Sequence, residues 1–141
     1  MVKVVIDNEK GLVQSAGNGL QLKAGATWDK HSYQSQIDTR THTGNHTMTT
    51  ADVGRLHIIE GSHTMTLPAT TVGHGYSFLV SGTGTLTLNP NASDKIIGAG
   101  AAGVNNKDFL LSGDGSFIRI LGDGADGWTI VEVAGTFSRE S

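Results

Sequence analysis

The chain has 141 residues, enough for one domain with a real core and too few for two independent ones. Twenty glycines, two prolines and 16% charged residues point away from helical bundles toward short strands joined by tight turns. A formal charge of −3 offers no field for a phosphate backbone, and the absence of cysteine removes disulfide frames and thiolate metal sites, so no nucleic acid is expected as a partner.

The N-terminal "MVKVVIDNEKG" holds an apolar run too short for a signal peptide, broken by Asp7, Glu9 and Lys10. No later window is long and apolar enough for a membrane helix, and the expectation is a soluble chain without a membrane partner. "VKVVI" and "LQLK" are predicted strands around the turn-rich "DNEKGLVQSAGNG". Ala24 to His46 shows neither a helical nor a strand period. A stretch of that length without regular structure is expected to be an arm or extended loop in contact with a partner, with irregular strands or flexibility as the alternatives. The expected organisation is therefore 1–46 as N-terminal strands plus a polar arm, and 47–141 as the β core.

From Arg55 onward the text alternates between strand and turn. "RLHIIE", "HTMTL", "YSFLVS", "TLTL", "KII", "DFLL", "SFIRIL" and "WTIVEV" are rich in β-branched or aromatic residues, and clusters of Gly, Asn, Asp and Pro separate them. The period is two: Met65 and Leu67 share a face with His63, and Leu86 alternates with Thr87 before Leu88. Half-buried strands in this number predict an all-β fold, an antiparallel β-sandwich or jelly-roll-like domain with an irregular N-terminal arm.

Several motifs could carry chemistry, and each has a plainer reading. "GAGAAG" at Gly98 to Gly103 spells G-x-G-x-x-G, but a dinucleotide loop must open a helix, and "VNNKDFLLSGDG" leaves no room for one; it is read as a connection between strands. "GDGADGW" lacks the alternate oxygen ligands of a calcium loop and is read as a hairpin turn that delivers Trp128 into the core. His42 and His46 lie four apart, about 13 Å on a continuous strand, too far to share an ion. A site drawing on His31, His57, His63 or His74, or on symmetry mates around an oligomer axis, stays open, with hydrogen-bonded or solvated histidines the expected state. The sequence shows no nucleophile-and-base pattern, P-loop or paired carboxylates; Glu60 and Glu132 sit at strand ends. The expectation is no enzyme, no catalytic residue, no metal and no cofactor.

From Thr47 to Gly135 the wording resembles a β-rich module of tailed-bacteriophage virion proteins, found in tail fibres and head decoration proteins. The carriers are "HTMTLPATTVGHGYSFLV", "GTLTLNPNASDKIIGAG" and "GDGSFIRILGDGADGWTIVEVAG". Leu67-Pro68, the Gly73 to Gly75 turn before Tyr76 and Phe78, the Asn-Pro step, Ile-x-Gly and a glycine turn before Trp128 come in the module's order. The chain lacks a collagen-like or coiled-coil shaft and begins at Met1, and from this a small standalone virion protein is expected. The resemblance then implies a capsid decoration, or cement, protein, typically a homotrimer on the outer capsid surface, bound to the major capsid protein and made in the host bacterial cytoplasm. The alternative is a receptor- or glycan-binding module of a tail fibre or tail tip. Residues expected at partner contacts are Val4 and Ile6 of the first strand, and Trp28, Tyr33, Ile37 and Arg40 of the arm: aromatics carry large apolar area, and Arg can fork onto a carboxylate. Val4 and Ile6 can equally complete the domain's own sheet.

Overall fold

β-branched and aromatic residues at alternate positions cannot bury both faces of one strand, and most of the strands fold back to share a single apolar interior. The computed structural model of the chain describes residues 4–7, 11–14 and 37–141. Two units separate at Gln36/Ile37. In the first, β1 (Val4–Asp7) pairs antiparallel with β2 (Gly11–Gln14), Val4 opposite Gln14 and Asp7 opposite Gly11. The second strand of that pair thus lies inside the stretch expected to be a turn, and "LQLK" lies outside the described residues.

The second unit is a nine-stranded sheet folded over its own core. Its strands are β3 (Thr39–His42), β4 (His46–Thr47), β5 (Leu56–Glu60), β6 (His63–Thr66), β7 (Gly75–Ser81), β8 (Thr85–Asn89), β9 (Lys95–Ile97), β10 (Phe109–Gly122) and β11 (Gly127–Arg139). A 3₁₀ turn, Thr50–Asp52, lies between β4 and β5. The described residues contain no α-helix, and the expected all-β, sandwich-like class is what the structure shows.

Pairing within that class is mixed. β3, β5 and β7 run parallel side by side, as do β4, β6 and β8, so the chain climbs in three broad turns of two strands each. β10 then closes the stack antiparallel to both ladders: Phe109–Ser112 pairs with β8 and Phe117–Leu121 with β7. β11 returns along β10, and its first residues pair parallel with β9. Alternation of side chains is the same for parallel and antiparallel neighbours, which is why the sequence pattern points to half-buried strands without specifying their direction.

"DFLL" and "SFIRIL", expected as separate strands, are one strand. The "GDG" between them is an irregularity at Gly113 to Gly115, with φ of 92° and 75° at the two glycines, a backbone that L side chains rarely adopt. The bend lets one strand leave the β8 ladder and join β7. Successive turns of the stack also meet closely: a Cβ on Gly84 would collide with the Gly61 backbone, so only glycine fits where the turn after β7 passes over the turn after β5. The third and fourth strands occupy 39–47, where an arm had been expected, and residues 37–46 therefore belong to the β core.

The interior is read directly from the alternation. Tyr76, Phe78 and Val80 of β7, Leu86 and Leu88 of β8, and Ile118 and Ile120 of β10 are fully buried, with Met65, Phe109, Leu111 and Trp128 around them. Each large side chain so buried contributes about 1.5–3 kcal/mol. Asp123 Oδ1 accepts the backbone N–H groups of Ala125, Asp126 and Gly127, closing the β10–β11 turn that places Trp128 against Tyr76 as expected. The Gly98–Ala101 stretch is a tight turn with two reciprocal backbone hydrogen bonds, and it leads the chain out of β9 toward β10.

Candidate functional site

Polar groups inside an apolar core must find partners there, so the buried polar side chains are where specific chemistry can be sought. Three of them, His42, Asp52 and His57, meet at the start of the stack. β3 is exposed along Thr39 to Thr41 and turns only His42 inward. The chain bends over Thr43 to Asn45, and β4 brings His46 back beside it, with the two rings 4.9 Å apart at their centres. The 13 Å separation expected for this pair assumed a single strand; the bend makes them members of two.

Asp52 is the hub. Its carboxylate, 1% exposed, accepts Arg40 Nη1 at 2.7 Å on Oδ1. Oδ2 accepts His46 Nε2 at 3.1 Å and both the backbone N–H and hydroxyl of Thr49 at 2.9 Å. Burial alone would raise this carboxyl's pKa, but the hydrogen bonds from His46 and Thr49 outweigh it and hold the group well below the usual carboxylate range. Behind it, His57 Nε2 lies 2.9 Å from the Asp52 backbone oxygen, and His57 Nδ1 lies 2.9 Å from His42 Nε2. A carbonyl can only accept, so His57 carries its proton on Nε2 and receives the His42 N–H at Nδ1. The relay therefore runs from His42 through His57 to the Asp52 carbonyl, with both rings neutral. Tyr76 donates its hydroxyl to the Thr49 carbonyl at 3.0 Å, tying the 3₁₀ turn to β7.

Burial is the main reason both histidines resist protonation. His42 is pushed down to about 4, with His57, His46 and Arg40 adding repulsion and Asp52 pulling the other way. His57 is also lowered by burial, against the opposing pull of its bond to the Asp52 carbonyl. A carboxylate holding an imidazole is part of a nucleophilic site, but the two hydroxyls here are committed as donors, Thr49 to the Asp52 carboxylate and Tyr76 to the Thr49 carbonyl. Among the described residues no three His, Asp or Glu side chains are arranged to hold a metal ion. What the geometry accomplishes is attachment: β3, β4, the 3₁₀ turn, β5 and β7 are joined through one carboxylate and its neighbours.

The outer surface offers a second feature. Register aligns Thr41, Ile58, Leu79, Phe117 and Ala134 in one row across β3, β5, β7, β10 and β11. These positions alternate with the core residues His57, Ile59, Phe78 and Ile118, so the row faces outward, and Ile58, Leu79 and Phe117 are half-buried. Nearby, Leu121 is 43% and Val131 52% exposed, and both line an open depression of about 400 Å³ with Gly75, Ser77 and Arg119. The sequence carries a signal for this: "LHIIE", "YSFLVS" and "SFIRIL" place apolar residues at both parities, where a one-sided strand needs only one.

Of the residues expected at partner contacts, Val4 and Ile6 lie on β1, opposite Gln14 and Leu12. Trp28 and Tyr33 lie outside the described residues. Ile37 is 64% exposed. Arg40 does reach a carboxylate, that of its own chain's Asp52. Sequence reasoning passes over Asp52, whose only local sign is Thr49 three residues before it at the mouth of a short turn. No protein-family model matches the chain, and comparison with curated proteins finds no match.

Proposed function

We propose that this chain is a structural subunit: a decoration protein that oligomerises on the outer shell of a tailed-bacteriophage capsid and ties neighbouring capsomers together without covalent bonds. The observation that carries the reading is the outward apolar row of Ile58, Leu79 and Phe117, continued by Leu121 and Val131, on a sheet whose opposite face is the core. A rigid sheet with apolar side chains on its outer face is suited to holding a neighbour, because little conformational freedom is lost when it docks. The module resemblance over 47–135 supports the same direction. A protein that binds only the assembled lattice adds its binding free energy to that state alone and raises lattice stability by linkage, with no reaction required.

The test is to prepare virions with and without the protein. Many copies on every shell, and a lower rupture temperature in shells lacking it, are the expected results. Unchanged rupture, or a few copies confined to the tail, would replace this reading with that of a receptor- or glycan-binding tail module.

A further inference from the structure

The hydrogen bonds around Asp52 depend on which ring nitrogens of His42 and His57 carry protons. We propose that this network is an acid-released latch: protonation of the His42–His57 pair frees the first turn of the stack, residues 37–53, from β5 and β6 while the rest of the sheet stays folded. The inference stands on the cluster's geometry and does not depend on the decoration role.

The hydrogen-bond logic is directional. His57 Nε2–H is committed to the Asp52 carbonyl, so a second proton on His57 must sit on Nδ1, facing the His42 Nε2–H across 2.9 Å. The bond then becomes a contact between two donors. A proton placed instead on His42 leaves that bond intact but adds a cation beside the Arg40 guanidinium and the His46 ring. Each element packed around the pair contributes a known group. β3 supplies Arg40 and His42, β4 supplies His46, the 3₁₀ turn supplies Asp52, β5 supplies His57 and β7 supplies the Tyr76 hydroxyl; β6 places Met65 opposite His46. Asp52 is thus the one carboxylate among the described residues that faces these bases, and Arg40 and His46 already occupy it.

Outside the network the first turn is held by buried Met48, by the Tyr76 hydroxyl on the Thr49 carbonyl, by the Thr64 N–H on Asn45 Oδ1 and by short ladders. β3 meets β5 over four residue pairs and β4 meets β6 over two, while Thr39 to Thr41 and Thr43 to Asn45 are exposed. By contrast, β7 is paired on both edges, with β5 and with β10. The sign is set by the histidines' preference for the neutral form. A histidine with a folded pKa below its unfolded value stabilises the fold above the unfolded value, near 6.5. That stabilisation is lost as pH falls through the folded one, about 4 for His42. Asp52 stays ionised across that window, so the new charge comes from the histidines.

Amide hydrogen exchange on the intact chain, at about pH 7 and about pH 4.5 with intrinsic rates corrected, reads the latch residue by residue. Residues 39–53 are expected to exchange at least about tenfold faster at the lower pH, with 75–81 and 117–121 unchanged. In the double variant His42→Gln, His57→Gln, whose amides can donate and accept but do not titrate, that acid response should vanish. A response spread evenly over the sheet, no response, or the same response in the variant would overturn the proposal. Should the variant fail to fold, NMR titration of the histidine ring carbons in the unaltered chain decides. Protonation of His42 and His57 in step with the opening of 39–53 supports the latch; protonation while 39–53 stays protected refutes it.

Discussion

The two ends of the folded sheet are held by different physics. Where β8, β10 and β11 meet, the interior is Leu86, Leu88, Phe109, Leu111 and Trp128, all fully buried and dominated by hydrocarbon. Where β3, β4 and the 3₁₀ turn meet β5, the interior is His42, Asp52 and His57 beside Met48 and Ile59. Dispersion and hydrophobic burial are non-directional, so the apolar end depends on volume and shape and is largely indifferent to pH. The polar end depends on which atom carries which proton. A satisfied network of this kind selects one arrangement sharply and loses it sharply when one member changes.

Breaking each end in turn tests that contrast. The largest loss is expected from Phe109→Ala at the apolar end, about 3–5 kcal/mol of unfolding free energy from lost transfer and the cavity left behind. Denaturant unfolding measures it, and the loss should be the same at neutral and mildly acidic pH. Asp52→Asn at the polar end should cost about 2–4 kcal/mol, because its amide offers a donor where four donors converge and leaves Arg40 without its carboxylate. In that variant exchange should rise first in 39–53, whereas Phe109→Ala should raise it across the sheet. Arg40→Gln should have the smallest effect, about 1 kcal/mol, since its side chain is 43% exposed and Asp52 keeps its other three donors. If Arg40→Gln proved as costly as Asp52→Asn, the carboxylate would not be the hub described.

These differences also explain what is and is not visible in the sequence. "YSFLVS" and "TLTL" alternate so regularly that β7 and β8 fall within a residue of their expected ends. The turn after β10 is equally legible, because Asp123 before glycines and Trp128 contains its own local mechanism in the side-chain cap on three backbone N–H groups. β3 escapes detection because three of its four residues face solvent and leave no period to find. "GDG" looks like a turn because positive φ is shared by turns and by strand irregularities; only the partners on either side, β8 and β7, separate the two. The polar site is hidden for a related reason. Arg40, His46, Asp52 and His57 are unremarkable one by one, and nothing local says that they converge.

Alternation of apolar and polar side chains, with glycine at the bends, was enough to establish strands, their inward faces and the all-β class, because those properties depend on each residue and its immediate neighbours. Strand direction, the joining of two ladders by β10, the meeting of His42 with His57 and the outward apolar row were decided only by the folded chain. Each depends on which distant segments lie side by side, and main-chain pairing is blind to the identity of the side chains it brings together.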